Sequence, residues 1–124
     1  LAVSPPGDNF ARISELFAAF GPIAVRRMFG GAGIYADGKM FGLLDDDVIY
    51  LKADEASAPA FQREGSTPFV YVKDGRPMTM SYWRLPERLY DDPDELAQWA
   101  RAALALAQRK AATKPAKRSG RRNT

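Results

Sequence analysis

The side chains that most often carry enzyme chemistry are absent from this sequence, which contains no histidine and no cysteine. Histidine is the usual general base near neutral pH and the commonest metal ligand, and cysteine supplies a thiolate nucleophile or ligand. Without either residue, the common zinc sites and the Ser-His-Asp and Cys-His relays cannot form. Carboxylates, lysines, tyrosines and backbone amides remain. We therefore expect neither an enzyme nor a resident cofactor or metal ion.

A glycine-rich segment, Gly30-Gly31-Ala32-Gly33, is the first pattern that could bind a ligand. Clustered glycines can direct backbone amides at an anion. A phosphate loop, however, opens a helix and carries a Lys-Ser or Lys-Thr pair, whereas the residues that follow here read as a strand. We therefore interpret the segment as a bulge or a tight strand connection, with Gly30 and Gly31 as candidate partner contacts.

Three consecutive carboxylates, Asp45-Asp46-Asp47, resemble a cation site at first sight. A calcium loop spaces its ligands around a tight turn and usually adds a distal glutamate. A run of three acids between two strand-like segments is more typical of a solvated hairpin turn. Similarly, Ser81 has no base at a recognisable spacing and is interpreted as a strand hydroxyl.

Charged and aromatic side chains in two strand-like segments are the best candidates for contacting a partner. Arg26 and Arg27 precede the glycines, and an arginine can bind a carboxylate or a phosphate through two hydrogen bonds. The alternative is one solvated arginine and one internal ion pair. Tyr82 and Trp83 face opposite sides of their strand, and we expect one of the two rings to remain exposed. The four methionines are interpreted as core residues, which is their commoner role.

The net charge of +3 is divided unevenly along the chain. Of the 18 basic side chains, six lie in residues 110–124 without any acid, which leaves 12 basic against 15 acidic side chains in residues 1–109. The composition of 110–124 supports no core, so we expect a disordered basic tail. The tail could bind nucleic-acid phosphates without sequence specificity, or it could serve only as a solubilising terminus. The candidate phosphate contacts are Lys114, Lys117, Arg118, Arg121 and Arg122.

Two amphipathic helices are predicted near the ends of the sequence. Apolar residues at three- and four-residue steps predict the first helix, from a capping Asp8 to Phe20. Asp92 is a plausible cap for the last helix, whose apolar stripe continues to about Arg109. Residues 1–109 are long enough for one domain.

Short strand-like segments lie between the two helices. The dipeptides Asp37-Gly38 and Asp74-Gly75 are typical of two-residue hairpin turns, because glycine readily adopts a positive φ. Strands are predicted over residues 23–28, 33–36, 40–44, 48–52, 69–73 and 78–84, with a short helix over 54–63 and a loop over 85–90. The pattern predicts an α+β fold. We expect a two-layer sandwich whose antiparallel sheet of five or six strands is flanked by an N-terminal and a C-terminal helix.

The N-terminal residues show no secretory signal, and no segment approaches the roughly 20 apolar residues of a membrane-spanning helix. We therefore expect a cytoplasmic protein.

A series of motifs occurs in a set order between residues 28 and 99. It comprises Met28-Phe29-Gly30-Gly31-Ala32-Gly33-Ile34-Tyr35, Asp37-Gly38-Lys39-Met40-Phe41-Gly42-Leu43, Tyr50-Leu51-Lys52, Pro68-Phe69, Met80-Ser81-Tyr82, Leu85-Pro86-Glu87 and a closing helix with Trp99. The series, within roughly residues 8–109, resembles the N-terminal domain of the TfoX/Sxy family, regulators linked to DNA-uptake competence in bacteria. The resemblance implies a two-layer α+β fold, a cytoplasmic bacterial protein, a role in transcriptional regulation beside a DNA-bound activator, and no enzyme activity.

Two functional hypotheses follow from the sequence. The first is a non-enzymatic regulatory binding module that contacts a transcription factor or a polymerase component. The second is a weak, non-specific nucleic-acid binder that uses the basic tail, with the domain as a dimeric platform. An open sheet edge would also allow a homodimer.

Overall fold

The computed structural model describes the backbone of residues 6–28 and 31–122 and the side chains of residues 10–28 and 31–109. The helices and strands follow the order that the sequence predicts: α1 (Pro6–Leu16), β1 (Ala24–Met28), β2 (Gly31–Ala36), β3 (Lys39–Asp45), β4 (Val48–Lys52), α2 (Ala58–Arg63), β5 (Pro68–Lys73), β6 (Arg76–Arg84) and α3 (Pro93–Arg122). The 3-10 helix η1 (Glu87–Asp91), which was not predicted, lies before α3.

The strands form one antiparallel sheet of six strands in the order β1-β2-β3-β4-β6-β5. Its turns confirm the hairpin predictions. Both residues of Asp37-Gly38 have a positive φ, 53° and 74°, as do those of Asp74-Gly75, 54° and 75°. Asp46 and Asp47 also have a positive φ, 52° and 64°, so the run of three acids forms a tight turn between β3 and β4. Two positive φ values in a two-residue loop match the twist of the flanking strands.

The helices cover one face of the sheet, and the core lies between these two layers. Alternate strand residues such as Ile34, Leu44 and Leu51 are buried in one cluster with residues of α1, α2 and α3. Aromatic rings pack at two places in this core. Phe41 lies 5.8 Å from Phe17 between ring centroids, while Phe61 meets Trp99 edge to face at 4.9 Å. The predicted α+β two-layer fold is confirmed.

Several element ends differ from the predicted ones for local reasons. Helix α1 begins at Pro6 and not after a cap at Asp8, since proline fits the first helical turn, where its missing N–H is not needed. Helix α2 begins later than predicted because Asp54 and Ser57 form a turn: each backbone N–H donates to the other side chain at 2.9 Å. Residues predicted as a loop contain η1. The cap at Asp92 is confirmed by a hydrogen bond of 3.2 Å from the Glu95 N–H to its carboxylate.

Helix α3 continues to Arg122 in the structure and thus extends past the residue at which its apolar stripe ends. The side chains of residues 110–124, including the five candidate phosphate contacts, lie outside the described residues. The disordered tail and the division of the chain at residue 109 therefore stay predictions.

Candidate functional site

The face of the sheet opposite the helices, here called the open face, carries a row of directly paired residues across five strands. The row consists of Arg26, Gly33, Leu43, Tyr50 and Arg84. Paired residues in an antiparallel sheet project to the same side, and their neighbours along each strand project to the other. Because neighbours such as Ile34, Leu44 and Leu51 belong to the core cluster under the helices, this row faces away from the helices.

Gly33 lies beneath three apolar side chains at the centre of the open face. A Cβ atom at Gly33 would lie 2.7 Å from the Met40 sulfur, 2.9 Å from the Tyr35 ring and 3.2 Å from the Met28 sulfur. The missing side chain lets the two thioethers and the ring converge over the strand. The result is an apolar platform on a face that carries no helix in the described part of the chain.

Two cations lie above tyrosine rings on this platform. The Arg26 guanidinium carbon is 5.0 Å from the centre of the Tyr35 ring, and the Lys52 Nζ is 4.8 Å from that of Tyr82. Tyr82 is only 5% exposed, and its hydroxyl donates to the Met40 carbonyl at 3.5 Å. Burial raises the pKa of Tyr82 from its ordinary 10 to about 12. The platform thus combines aromatic rings with fixed positive charge.

The open face continues onto the β5–β6 hairpin. Phe69 packs edge to face against Tyr50 at 4.9 Å and stacks with Tyr71 at 6.3 Å. Tyr71 pairs with Met78, and these two side chains are 39% and 42% exposed. Aromatic and sulfur-containing side chains therefore extend from β2 to the outermost strand.

The structure separates the predicted contact residues onto the two faces of the sheet. Arg26 and Tyr82 lie on the open face. Arg27 pairs with Ala32 and Trp83 pairs with Leu51, so both project to the side of the helices. Arg27 is exposed there, whereas Trp83 is half-buried against Phe61, with a centroid distance of 6.1 Å.

Neither arginine forms the internal ion pair that the sequence left open as an alternative, as far as the described residues extend. Tyr82 is buried and Trp83 is half-buried, so neither ring of the predicted pair is exposed. On the open face, the exposed ring among the described residues is that of Tyr71, which sequence reasoning missed. The available signal was the continuous apolar run Val70-Tyr71-Val72, because such a run in an outer strand leaves apolar groups on both faces.

The glycine segment is structural as far as it is described. Gly30 lies outside the described residues. Gly31 begins β2 and pairs with Met28, so the next element is a strand, as predicted, and not the helix that a phosphate loop needs. Any Cβ at Gly31 would strike the backbone carbonyl of Leu44.

An exposed charge cluster ties three elements together on the helical side. Arg88 binds both oxygens of Glu64 at 2.8 and 2.9 Å and both oxygens of Glu95 at 2.8 and 2.9 Å. Glu95 also accepts a hydrogen bond of 3.2 Å from the Trp99 indole. Hydrogen bonds from Arg88, followed by that from Trp99, lower the pKa of Glu95 from its ordinary 4.5 to about 2. The pKa of Glu64 is lowered chiefly by Arg88.

We expect Arg88→Met to make the stability of the fold depend less on pH in the acidic range. A carboxylate whose folded pKa is depressed adds stability that is complete above its unfolded pKa and is lost as the pH falls through the folded pKa. The contribution of Glu95 is therefore present above about pH 4.5 and disappears toward about pH 2. Melting temperatures measured between pH 7 and pH 2 should show a smaller drop for Arg88→Met than for the unmodified chain, from a lower starting value.

The control for this prediction is Arg101→Gln on helix α3. Arg101 is exposed and makes no ion pair with the described residues. The Arg101→Gln variant should show the same dependence of melting temperature on pH as the unmodified chain. Parallel profiles for Arg88→Met and the unmodified chain would contradict the assignment of this acid transition to the cluster.

The described side chains offer binding chemistry. No group of three or more acidic, histidine or cysteine side chains among them could hold a metal ion. The contact of 3.1 Å between the Ser57 hydroxyl and the Asp54 carboxylate belongs to the turn before α2. In the described part of the chain, no helix has the length and apolar character needed to cross a membrane.

Comparison with known proteins agrees with this description. The family model of the TfoX N-terminal domain matches residues 15–107, which include all six strands and the described part of α3 up to that point. Protein Sxy of Escherichia coli (strain K12) is 29% identical over 100 residues, or 81% of this chain. The alignment covers 48% of Sxy, so the chain spans about half the length of this relative. The chain therefore belongs to the TfoX N-terminal domain family.

Proposed function

We propose that this chain is a non-enzymatic regulatory binding module of the cytoplasm that acts in transcriptional regulation through protein contacts. Family membership supports the regulatory role. The observation that carries the protein-binding role is the open face, a continuous aromatic and methionine-lined surface that no helix of residues 6–28 and 31–122 covers. Its partner would be a transcription factor or a component of RNA polymerase.

The composition of the open face is that of a protein interface. Tyrosine, phenylalanine, methionine and arginine are enriched at the centres of protein–protein interfaces, where charged residues are otherwise depleted. Met28 and Met40 have unbranched, polarizable side chains that can adapt to a partner's shape. Tyr35 and Tyr50 are half-buried and already held by neighbours, so little side-chain entropy would be lost on binding.

The charges on this face indicate the chemistry of the partner. Arg26 and Arg84 lie at the two ends of the row that crosses the sheet, and both are exposed. The acidic residue among those of the row and those beside it is Asp45, which lies at the far end of β3. A partner with an apolar centre and acidic residues on its rim would complement this pattern, because opposite potentials favour encounter and register.

Reversal of one charge on the open face should weaken partner binding. We expect Arg26→Glu to reduce the affinity for the partner by about 10–100-fold, since like charges placed opposite each other in an interface cost several kcal/mol. The effect combines loss of a cation with repulsion of an acidic rim. The measurement is calorimetric titration of the full chain with purified transcription activators and RNA polymerase of the source organism.

The matched control is the adjacent Arg27→Glu, which makes the same charge change on the opposite face of the same strand. It should alter the affinity by no more than about twofold, allowing for long-range electrostatics. Equal losses for the two variants would contradict the open face as the binding surface. If the chain bound none of these proteins, the result would contradict the proposal itself.

The alternative function, weak nucleic-acid binding through the basic tail, gives a different result in titrations with duplex DNA. If the six cations of residues 110–124 all contact phosphates, log affinity falls with log salt at a slope of about −5. Such binding would disappear in a 1–109 variant and would be insensitive to Arg26→Glu.

A further inference from the structure

Among the described residues, the sheet leaves three stretches of backbone edge unpaired, and they differ in how they are protected. The first is β1, whose middle carries the charged pair Arg26 and Arg27. The second is the start of β6, because β4 pairs only with its last residues, Tyr82–Arg84. Pro77 lies in this second stretch and cannot donate a backbone hydrogen bond. Charges and prolines are devices that discourage edge-to-edge pairing.

The third stretch, the outer edge of β5, has no such protection in its centre. Pro68 and an irregularity in register mark its beginning, and Lys73 marks its end. Between them lie Phe69 to Val72, without charge or proline. Of the five large apolar side chains that are exposed among the described residues, this hairpin supplies four: Val70, Tyr71, Val72 and Met78.

The register of the hairpin shows which backbone groups face the open edge. Lys73 and Arg76 flank the two-residue turn, so they form a hydrogen-bonded pair. Bonded and non-bonded pairs alternate from there along an antiparallel ladder. Val72, opposite Pro77, and Val70, opposite Thr79, are therefore in non-bonded pairs. The N–H and C=O groups of both valines point outward. The proline opposite Val72 fits this assignment, since it has no N–H to donate.

We propose that two copies of this chain associate by antiparallel pairing of their β5 strands around a two-fold axis at Tyr71. This axis places Val70 opposite Val72 of the second copy, so the outward N–H and C=O groups of one copy meet those of the other in about four backbone hydrogen bonds. Both open faces then lie on the same side of one continuous sheet, because residues of equal parity are paired.

The side chains favour a second copy as the occupant of this edge. The two-fold register pairs the exposed Val70 and Val72 across the interface twice and sets Lys73 opposite Phe69 of the other copy. No like charges face each other in this register, and an aromatic–cation pair is favourable. The strand is thus complementary to itself. The inference uses the sheet edge and does not depend on the partner proposed for the open face.

The test is Val72→Pro in the full chain. Proline removes an N–H that makes no hydrogen bond inside the hairpin, and Pro77 in the opposite strand shows that this pair accepts proline. Sedimentation equilibrium over a concentration series should give the unmodified chain a mass that rises from 13.7 kDa toward about twice that value. Val72→Pro should stay monomeric throughout. Val72→Thr keeps the N–H and the branched side chain, and it should still dimerise.

A covalent test guards against a folding defect in the proline variant. The chain contains no cysteine, so Tyr71→Cys introduces a single thiol. On the two-fold axis the two copies of this residue form a non-bonded pair with Cα atoms about 4.5 Å apart, a separation that a disulfide can span. We expect oxidation to convert Tyr71→Cys to a covalent dimer. Met78→Cys, on the same face but one strand further from the axis, should remain monomeric.

Three results would overturn the inference. One is a monomeric unmodified chain at every concentration, which is also the outcome if this edge accepts only a strand of another protein. Another is dimerisation of Val72→Pro with undiminished affinity. The last is cross-linking of Met78→Cys as fast as Tyr71→Cys, which would indicate random collision.

Discussion

Phe41→Ala is expected to lower the free energy of unfolding by about 3–5 kcal/mol, the range observed when a buried phenylalanine is truncated in a core. Phe41 has no exposed surface. Its ring lies 5.8 Å from that of Phe17 and 5.0 Å from that of Phe20. Since small domains are stable by roughly 5–15 kcal/mol, the loss is a large fraction of the total.

The size of this effect depends on the position of Phe41 in the sheet. The register between β2 and β3 shifts at this point: Ile34 pairs with Gly42 and Tyr35 pairs with Met40, so Phe41 has no direct partner. The bulge directs its ring to the residues that follow α1. Alanine would leave a cavity where the first helical segment is joined to the sheet, and few neighbouring groups could move to fill it.

Urea unfolding followed by circular dichroism measures this prediction, and Phe10→Ala is its control. Phe10 lies in α1 but is 42% exposed, so its truncation should change the stability by no more than about 0.5 kcal/mol. A loss of less than about 1 kcal/mol for Phe41→Ala would mean that the site collapses around the cavity or that the ring is not in the core.

Gly31→Ala is expected to destabilise the fold by about 2–3 kcal/mol or more, because the added methyl group would meet backbone and not a side chain. The obstacle is the carbonyl oxygen of Leu44. The carbonyl carbon of Leu44 and the Asp45 Cα would lie 3.3 and 3.4 Å away. Ala32 pairs with Leu44, so β3 cannot move aside without a loss of strand pairing. Thermal and urea unfolding of the full chain measure the change.

Gly33→Ala is the matched control, two residues further along the same strand. There the new methyl group would meet the Met40 sulfur and the Tyr35 ring, and side chains can rotate at a smaller cost than backbone can shift. We expect Gly33→Ala to cost less than half as much as Gly31→Ala. If Gly31→Ala folded normally but lost partner binding, Gly31 would be a contact residue, as the sequence suggested, and the packing account would be wrong.

The local features of the fold could be predicted from the residues alone. The two Asp-Gly turns, the tight turn at Asp46-Asp47 and the cap at Asp92 each depend on the conformational preference of one or two residues and need no distant contact. Strand alternation by itself implies that the adjacent residues Arg26 and Arg27 face opposite ways. It could not show which of them faces the helices, since that choice depends on how β1 pairs with β2.

The positions of the methionines could not be predicted from local sequence. Met28, Met40 and Met78 lie in strands, and we interpreted them as core residues. In the structure they lie on the face without a helix, two of them over Gly33 and one beside Tyr71. An apolar residue in a strand is equally compatible with either face. Only the packing of the helices on one side of the sheet decides which side is the open face.

The sequence by itself determined the element order, the turns, the absence of histidine and cysteine chemistry, and the concentration of basic residues at the C-terminal end, because these follow from residue type and local conformation. Only the tertiary structure decided that β6 lies between β4 and β5, that Tyr82 donates to Met40 from 42 residues away, and that Arg88 joins Glu64 to Glu95. The open face and the free edge of β5 belong to this second group. Such features arise when distant segments share one core, and the interactions that select the pairing are spread over the whole sheet and not encoded in any single stretch.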